Sequence, residues 1–458
     1  VAAETYSEAL SSFAATQAWA KIPGPARQAA CTSLLDQMGA ILAGSAAGGG
    51  VPAFVDLARE SGGGASTVLG CGFRTSAVMA AFANGAMAHA VDYEDTHDRT
   101  LVHPNAAVVP AALAVAEKIG ASGRDLVTAI VAGAEIACRL GMSFAGNPQK
   151  SSGFFVLPMC GAYGAAAAAG RLLGLSPAQM TQAFALTLNQ VAASDGVIDH
   201  GPSHFRQVRD GFSAKAGVVA AHLAKSGVVA FDKPFEGPKG FFALFAGGAF
   251  DPAAGLDGLG ERYEMAALSY KPWPSCRGSH AFVEAALDLR QAHAFDLRDI
   301  VAIDATVSAF FETLCFPPDL RKRPPNAIAA KFSIPFTVGV ALAKGHVRIE
   351  DFGDAALQDP EVLHLASLVG HRVEATWPHA ESTRGRLTIR LADGRSLTHE
   401  VAAPLGHPDR PIDREALVAK FIDCGLVAAK PRSKDELRAL AHRLLHAGDV
   451  ADVSSLTA

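Results

Sequence analysis

Apolar residues recur every three or four positions through the first 268 residues, and this spacing predicts helices. Ala26, Ala30, Leu34, Met38 and Ile41 form one such stripe. Helix starts are marked too: Ser122 with Asp125, and Ser176-Pro177 with Gln179, carry the polar cap and N3 acceptor of a capping box. Further helices are expected over 161–173, 178–193 and 214–225, with no convincing run of alternating residues among them. The glycines from Gly62 read as a surface turn.

After Lys271 the texture changes. Val301, Ile303, Ala305 and Val307 alternate with other residues, as do Val373, Ala375 and Trp377. Leu387, Ile389 and Leu391, then Leu397, His399 and Val401, flank Ala392-Asp393-Gly394 and read as a β-hairpin. Helices are expected between the strands over 281–292, 327–344 and 361–369, which makes this section α+β. Helices return from about Asp413, with Ser433 and Glu436 forming a third capping box. The expected fold is mainly α: a large all-helical domain over 1–268, a smaller α+β domain over 269–405, and a return to the helical domain over 406–458.

A chain of 458 residues, half of them hydrophobic, can bury two such cores. The net charge of −5, without any Lys/Arg-dense stripe, argues against a nucleic-acid partner. No stretch reaches the roughly 20 uncharged apolar residues of a membrane span. The nearest, 156–170, ends at Arg171. The first residues lack the basic and apolar regions of a signal peptide. Seven scattered cysteines with no C-x-x-C imply neither a disulfide framework nor a zinc site. The protein is therefore expected to be cytoplasmic, with no nucleic-acid or membrane partner. Phosphate-binding glycine motifs are missing as well.

The densest chemistry lies between His89 and Glu117. Asp92, Glu94, Asp95, His97, Asp98 and His103 crowd a dozen residues, flanked on both sides by Ala-rich apolar sequence. Buried charge is costly unless paired or used, so this is a candidate active site. An aspartate and a histidine at one cleft suit an acid–base pair, with the aspartate orienting the imidazole. Asp95-Thr96 would equally suit a cap that orders the loop. His97 reads as a surface imidazole. Arg99 suits a bidentate clamp on a carboxylate, or an ion pair with Asp98 or Glu94. His200 and His204, near Arg206 and Arg209, form a basic patch in a loop bounded by glycine and proline. The small residues from Gly164 to Gly170 suit close helix packing.

Several separate blocks resemble the MmgE/PrpD family: TVLGCGFRTSAVMAAFANGAMAHAVDYEDTH, VHPNAAVVPAALAVAE, GAYGAAAAAGRLLGLSPAQ, KPWPSCRGSH and AAKFSIPFTVGVAL, in the expected order across nearly the whole chain. The resemblance implies a helical domain with a smaller α+β lid, a homodimer, an active site between the domains, and no metal or organic cofactor. It implies that Asp92, Thr96 and His103 line the site and that Lys271 contributes a cation at the hinge into the lid. Beside that stands a lysine snorkelling next to Trp273. Arg277 and His280 are plausible carboxylate ligands by position, and Cys276 reads as packing.

Two departures from the family pattern matter. Where many relatives carry G-F-H-x-T, this chain has Gly153-Phe154-Phe155-Val156-Leu157, which puts Phe155 at the histidine and Leu157 at the threonine. Where relatives place Lys-Arg, it has Arg206-Gln207. Arg206 can bind a carboxylate but is a poor general base. Phe336 stands where some relatives have tyrosine, and six residues separate Thr96 from His103, one more than in the decarboxylase branch. These changes remove a titratable group, make one wall apolar and keep a cation, which suits a substrate with an apolar arm and fewer carboxylates than citrate.

The expected activity is a cofactor-independent lyase of the 2-methylcitrate dehydratase type acting on a small-molecule carboxylate. His103 would be the acid–base group, oriented by Asp92. Lys271, Arg206 and Arg277 would hold the carboxylate. An epimerase of the iminodisuccinate type, a cis-aconitate-type decarboxylase and a non-catalytic carboxylate binder remain as alternatives.

Overall fold

The computed structural model describes residues 4–145, 153–199 and 203–457. The helices that matter for the site are α1 (Gly24–Gly44), α2 (Ala77–Ala88), α3 (Asn105–Ile119), α4 (Gly123–Met142), α5 (Val156–Leu172) and α6 (Asp210–Lys225). Three follow later in the chain: α7 (His280–Ala292), α8 (Ile334–Lys344) and α9 (Arg414–Leu426). The protein is mainly α with a small sheet.

Helix α3 carries no charge before Glu117 and is buried on all sides through that residue, as expected of a helix apolar all round. Around it pack α2, α4, α5 and α6. Where α4 crosses α5, glycines face each other. A Cβ at Gly133 would lie 2.6 Å from the Gly164 carbonyl oxygen, and one at Gly164 would lie 2.7 Å from that of Gly133.

Among the described residues, two large apolar cores result, with a small third cluster of Ala43, Val91 and Cys424. One gathers helices from Tyr6 to Leu268 together with Leu417 to Leu456. The other gathers Ala281 to Val401, and Leu101 from the acidic loop joins it. The second core lies against a four-stranded sheet of order β4-β3-β5-β6, where β3 is Ile300–Ser308, β4 Val369–Glu374, β5 Gly385–Leu391 and β6 Ser396–Val401. β3 runs parallel to β4 and antiparallel to β5. β5 and β6 form the expected hairpin, with Gly394 at a φ of 88° in its turn.

Several elements differ from the pattern-based reading. A two-stranded ribbon, β1 (Ser66–Val68) with β2 (Phe73–Thr75), interrupts the helical section. Three-residue strands offer too little alternation to register. The helix expected over 327–344 breaks at Phe332-Ser333, because Ser333 caps the Phe336 amide at 2.9 Å and Pro335 occupies the first turn of α8. β4 ends at Glu374, so Ala375 and Trp377 lie beyond it. The helix expected to reach residue 193 stops at Leu188, while α5 and α6 start several residues early.

Candidate active site

The acidic segment connects α2 to α3 and is anything but helical. Asp92 and Leu101 both adopt left-handed backbone, at φ 52° and 60°, and two short bridges shape the turn. In one, Thr96 pairs with Ser269: the Thr96 amide donates to the Ser269 carbonyl at 2.9 Å and the reverse bond is 2.8 Å. The loop is thereby stitched to the segment that leads into the sheet-containing part, and the residues around 92–103 and 269–277 meet.

At the centre, Glu94 accepts from two imidazoles. Its Oε1 lies 2.5 Å from His89 Nδ1 and 2.9 Å from His103 Nδ1. Beside it, Lys271 Nζ donates to Asp92 Oδ1 at 2.6 Å and to the Asp92 carbonyl at 3.1 Å, with Glu94 at 3.8 Å. Burial alone would raise Glu94, but His89, Lys271 and His103 override it and hold this carboxyl well below its ordinary range. Asp92 is lowered in the same way, chiefly by Lys271. Burial works against the Lys271 cation, yet Asp92 and Glu94 keep it above its ordinary value.

His103 is the ring that faces outward. All of the Nδ1 neighbours are acceptors or hydroxyl: Glu94, the Asp95 carbonyl at 3.1 Å and Thr96 Oγ1 at 3.3 Å. Nδ1 therefore carries the proton, which leaves Nε2 with a lone pair on a ring that lines a cavity. Burial and the Lys271 charge lower the His103 pKa, with Glu94 opposing them.

The cavity measures about 260 Å³. Thr96 and His103 form one wall, and Phe155, Leu157, Phe310, Phe311, Leu314 and Phe332 make most of the rest. Besides Arg277, two guanidiniums line it. Arg206 stacks 3.5 Å from the Phe332 ring centroid, and Arg209 stacks 4.5 Å from that of Phe155. Burial lowers Arg206 to about 10, with Arg209 adding to the effect, so it stays charged at neutral pH. The Cys276 thiol also lines the cavity, and burial pushes it up to about 11, which makes it inert near neutrality.

Among the residues singled out from sequence, His103, Thr96, Phe155, Arg206 and Arg277 all line this cavity. Asp92 and Lys271 stand one layer behind, and the pairing differs from expectation: Glu94, not Asp92, orients His103. Arg277 is tied to Asp98 at 3.1 Å and to the carbonyls of Pro404 and Leu405, so its charge is already matched. His280 is buried off the cavity, its Nε2 near the Ser275 carbonyl at 3.1 Å, and burial with Arg277 lowers it well below the usual imidazole value. Arg99 is exposed and does not reach the cavity, and His97 corrects the surface reading: it is buried, 2.8 Å from Thr100 and 3.3 Å from Glu264. Phe336 is buried in the second core. His204 is exposed, and His200 lies outside the described residues.

Sequence reasoning missed Glu94's role and His89, and placed Arg209 only within a basic patch beside Arg206. Arg209 follows Arg206 by three residues, the spacing that places two side chains on one helical face. His89, Glu94 and His103 each offer a ligand atom within 4.8 Å of the others. The ammonium of Lys271 opposes a divalent cation there, and Nδ1 protons shared with Glu94 account for the spacing.

Behind the site, Lys420 of α9 donates to Asp36 of α1 at 2.6 Å and to the carbonyls of Tyr93 and Lys271 at 2.7 and 2.9 Å. Asp95 accepts from Ser33 and Asn105, both at 2.7 Å, and burial with nearby Asp36 raises it to about 7.

Against known proteins, residues 8–253 match the MmgE/PrpD N-terminal domain and residues 273–444 the MmgE/PrpD C-terminal domain. The chain is 27% identical to the cis-aconitate decarboxylase of Aspergillus terreus over 379 residues, covering 78% of this chain and 76% of that protein. It is 26% identical to the human cis-aconitate decarboxylase over 395 residues, covering 84% and 79%. It is 27% identical to the cis-aconitate decarboxylase-like protein oryM of Aspergillus oryzae over 418 residues, covering 86% and 84%.

Proposed function

The chain belongs to the MmgE/PrpD family, and from that premise we propose that it is a carboxylic-acid lyase in which His103 removes a proton from the carbon next to a carboxylate. The family and its decarboxylase relatives support an enzyme of lyase type. The observation that carries the finer reading is the 2.9 Å contact of His103 Nδ1 with the Glu94 carboxylate, which leaves a basic Nε2 at the cavity.

Elimination of water follows directly. The substrate carboxylate sits on Arg206, which also stabilises charge as it develops on that group. His103 Nε2 takes the α-proton while Glu94 stabilises the resulting imidazolium. The electron pair forms the α,β double bond, the β-carbon–oxygen bond breaks, and the leaving hydroxide takes the proton from Nε2. Water and an unsaturated acid are released, and the imidazole is regenerated. No cofactor enters this reading.

Decarboxylation is the second reading, favoured by the names of the relatives and by the apolar wall. It needs the opposite protonation state, because an imidazolium must quench the carbanion. Activity against pH separates the two. Elimination predicts that kcat/KM rises with pH through a midpoint below the ordinary imidazole value of 6.5 and then levels, because burial lowers His103. A fall through the same midpoint, with carbon dioxide released, would establish the second reading. His103→Asn should lower turnover by about 10²- to 10⁴-fold either way. The homodimer implied by the resemblance belongs to this proposal, and light scattering at twice the chain mass is the expected result.

A further inference from the structure

We infer that the substrate is a monocarboxylate carrying an aryl or branched-alkyl arm, held by Arg206 with the arm against Phe155, Phe310, Phe311 and Phe332. The inference rests on the lyase reading for the reacting end alone.

Charge matching sets the number of carboxylates. Arg209 is paired with Asp210 at 3.2 Å and Arg277 with Asp98 at 3.1 Å. Lys271 is matched by Asp92 and Glu94. Among the described residues, no carboxylate pairs with Arg206, whose Nε is buried without a hydrogen-bond partner. Asp195 adds a negative charge to the cavity wall. Among the described residues, Arg206 is thus the cavity cation without a carboxylate partner, and a second or third ligand carboxylate would be desolvated beside Asp195 and the aromatic rings with no unpaired cation to meet it.

Volume and lining set the arm. A cavity of about 150 Å³ holds benzene. The 260 Å³ here hold a ring of that size together with a carboxylate and two reacting carbons. The stacking of Arg206 on Phe332 holds the guanidinium against the aromatic wall, so a carboxylate bound there brings its substituent beside that wall.

Calorimetry on the full chain with two probes of similar size tests this: 3-phenylpropanoate and propane-1,2,3-tricarboxylate. The phenyl acid is expected to bind at least about ten-fold more tightly. Arg206→Met, checked for folding by its melting curve, should lower that affinity by about ten-fold or more, and Arg206→Lys should recover part of it. Phe155→His should narrow the preference. Equal or tighter binding of the tricarboxylate, no binding of either probe, or phenylpropanoate affinity unchanged in folded Arg206→Met would overturn the inference. The lyase reading fails separately: tight phenylpropanoate binding with no turnover of any 3-hydroxy acid would sink that reading and leave the ligand class standing.

Discussion

His103 is held between opposing influences. Burial and the Lys271 ammonium favour the neutral ring, while Glu94, at 2.9 Å, favours the cation and anchors the Nδ1 proton. Glu94→Gln keeps the size of the side chain but removes the charge, and its amide can donate to Nδ1, which moves the ring proton to Nε2. kcat/KM should then fall by about 10²- to 10⁴-fold. Phenylpropanoate affinity should change less than about three-fold, since Glu94 does not line the cavity. Steady-state kinetics beside calorimetry reads this split, and an equal loss in both would make Glu94 a binding residue. The density of acids and imidazoles pointed to the loop that borders the cavity and to His103, yet not to the partner of His103. The left-handed backbone at Asp92 turns its carboxylate toward Lys271, 179 residues away, and spacing along the chain carries no trace of that contact. Arg99 misled for a related reason. It looks like a clamp in a charged run, but the turn that buries its neighbours points it into solvent.

Among the elements, the α4–α5 crossing leaves no room for a side chain at its facing glycines. Gly164→Ala puts a methyl 2.7 Å from the Gly133 carbonyl and 2.8 Å from Val108, both in the core. Overpacking of this kind costs about 1–3 kcal/mol, so the melting temperature should fall while residual activity in the folded fraction persists. An unchanged melting temperature would mean that these helices can separate without loss. The small-residue run was legible as a close approach because glycine and alanine at helical spacing leave little else to bury. Capped helix starts were legible for a similar reason, since Ser176 and Ser433 announce themselves with partners three residues on. The break at Ser333 carried the same signal, with Pro335 following, and was hidden by the apolar continuity of 327–344. The β1–β2 ribbon left no readable pattern at all.

Across the whole molecule, one buried lysine joins three distant parts of the chain. Lys420, in the last third, binds Asp36 near the beginning and the carbonyls of Tyr93 and Lys271, which flank the site. Lys420→Met strands the buried Asp36 carboxylate and should cost about 3–5 kcal/mol. A lower melting temperature, with kcat reduced in whatever remains folded, is expected; a wild-type melting curve would show that the tie is dispensable. The mainly α make-up with a small sheet was readable from the switch between helical and alternating spacing. The aromatic cavity was not, because it draws side chains from segments near 96–103, 155–157, 206–209 and 309–332 that only the fold brings together. Proton removal by His103 next to a carboxylate is tested by proton NMR in deuterated buffer with 3-hydroxy-3-phenylpropanoate as substrate. A vinylic signal from the unsaturated acid and deuterium at the α-carbon of recovered substrate are expected, both lost in folded His103→Asn. Exchange and elimination at wild-type rates in that variant, or loss of carbon dioxide with no α-exchange in the wild type, would contradict it.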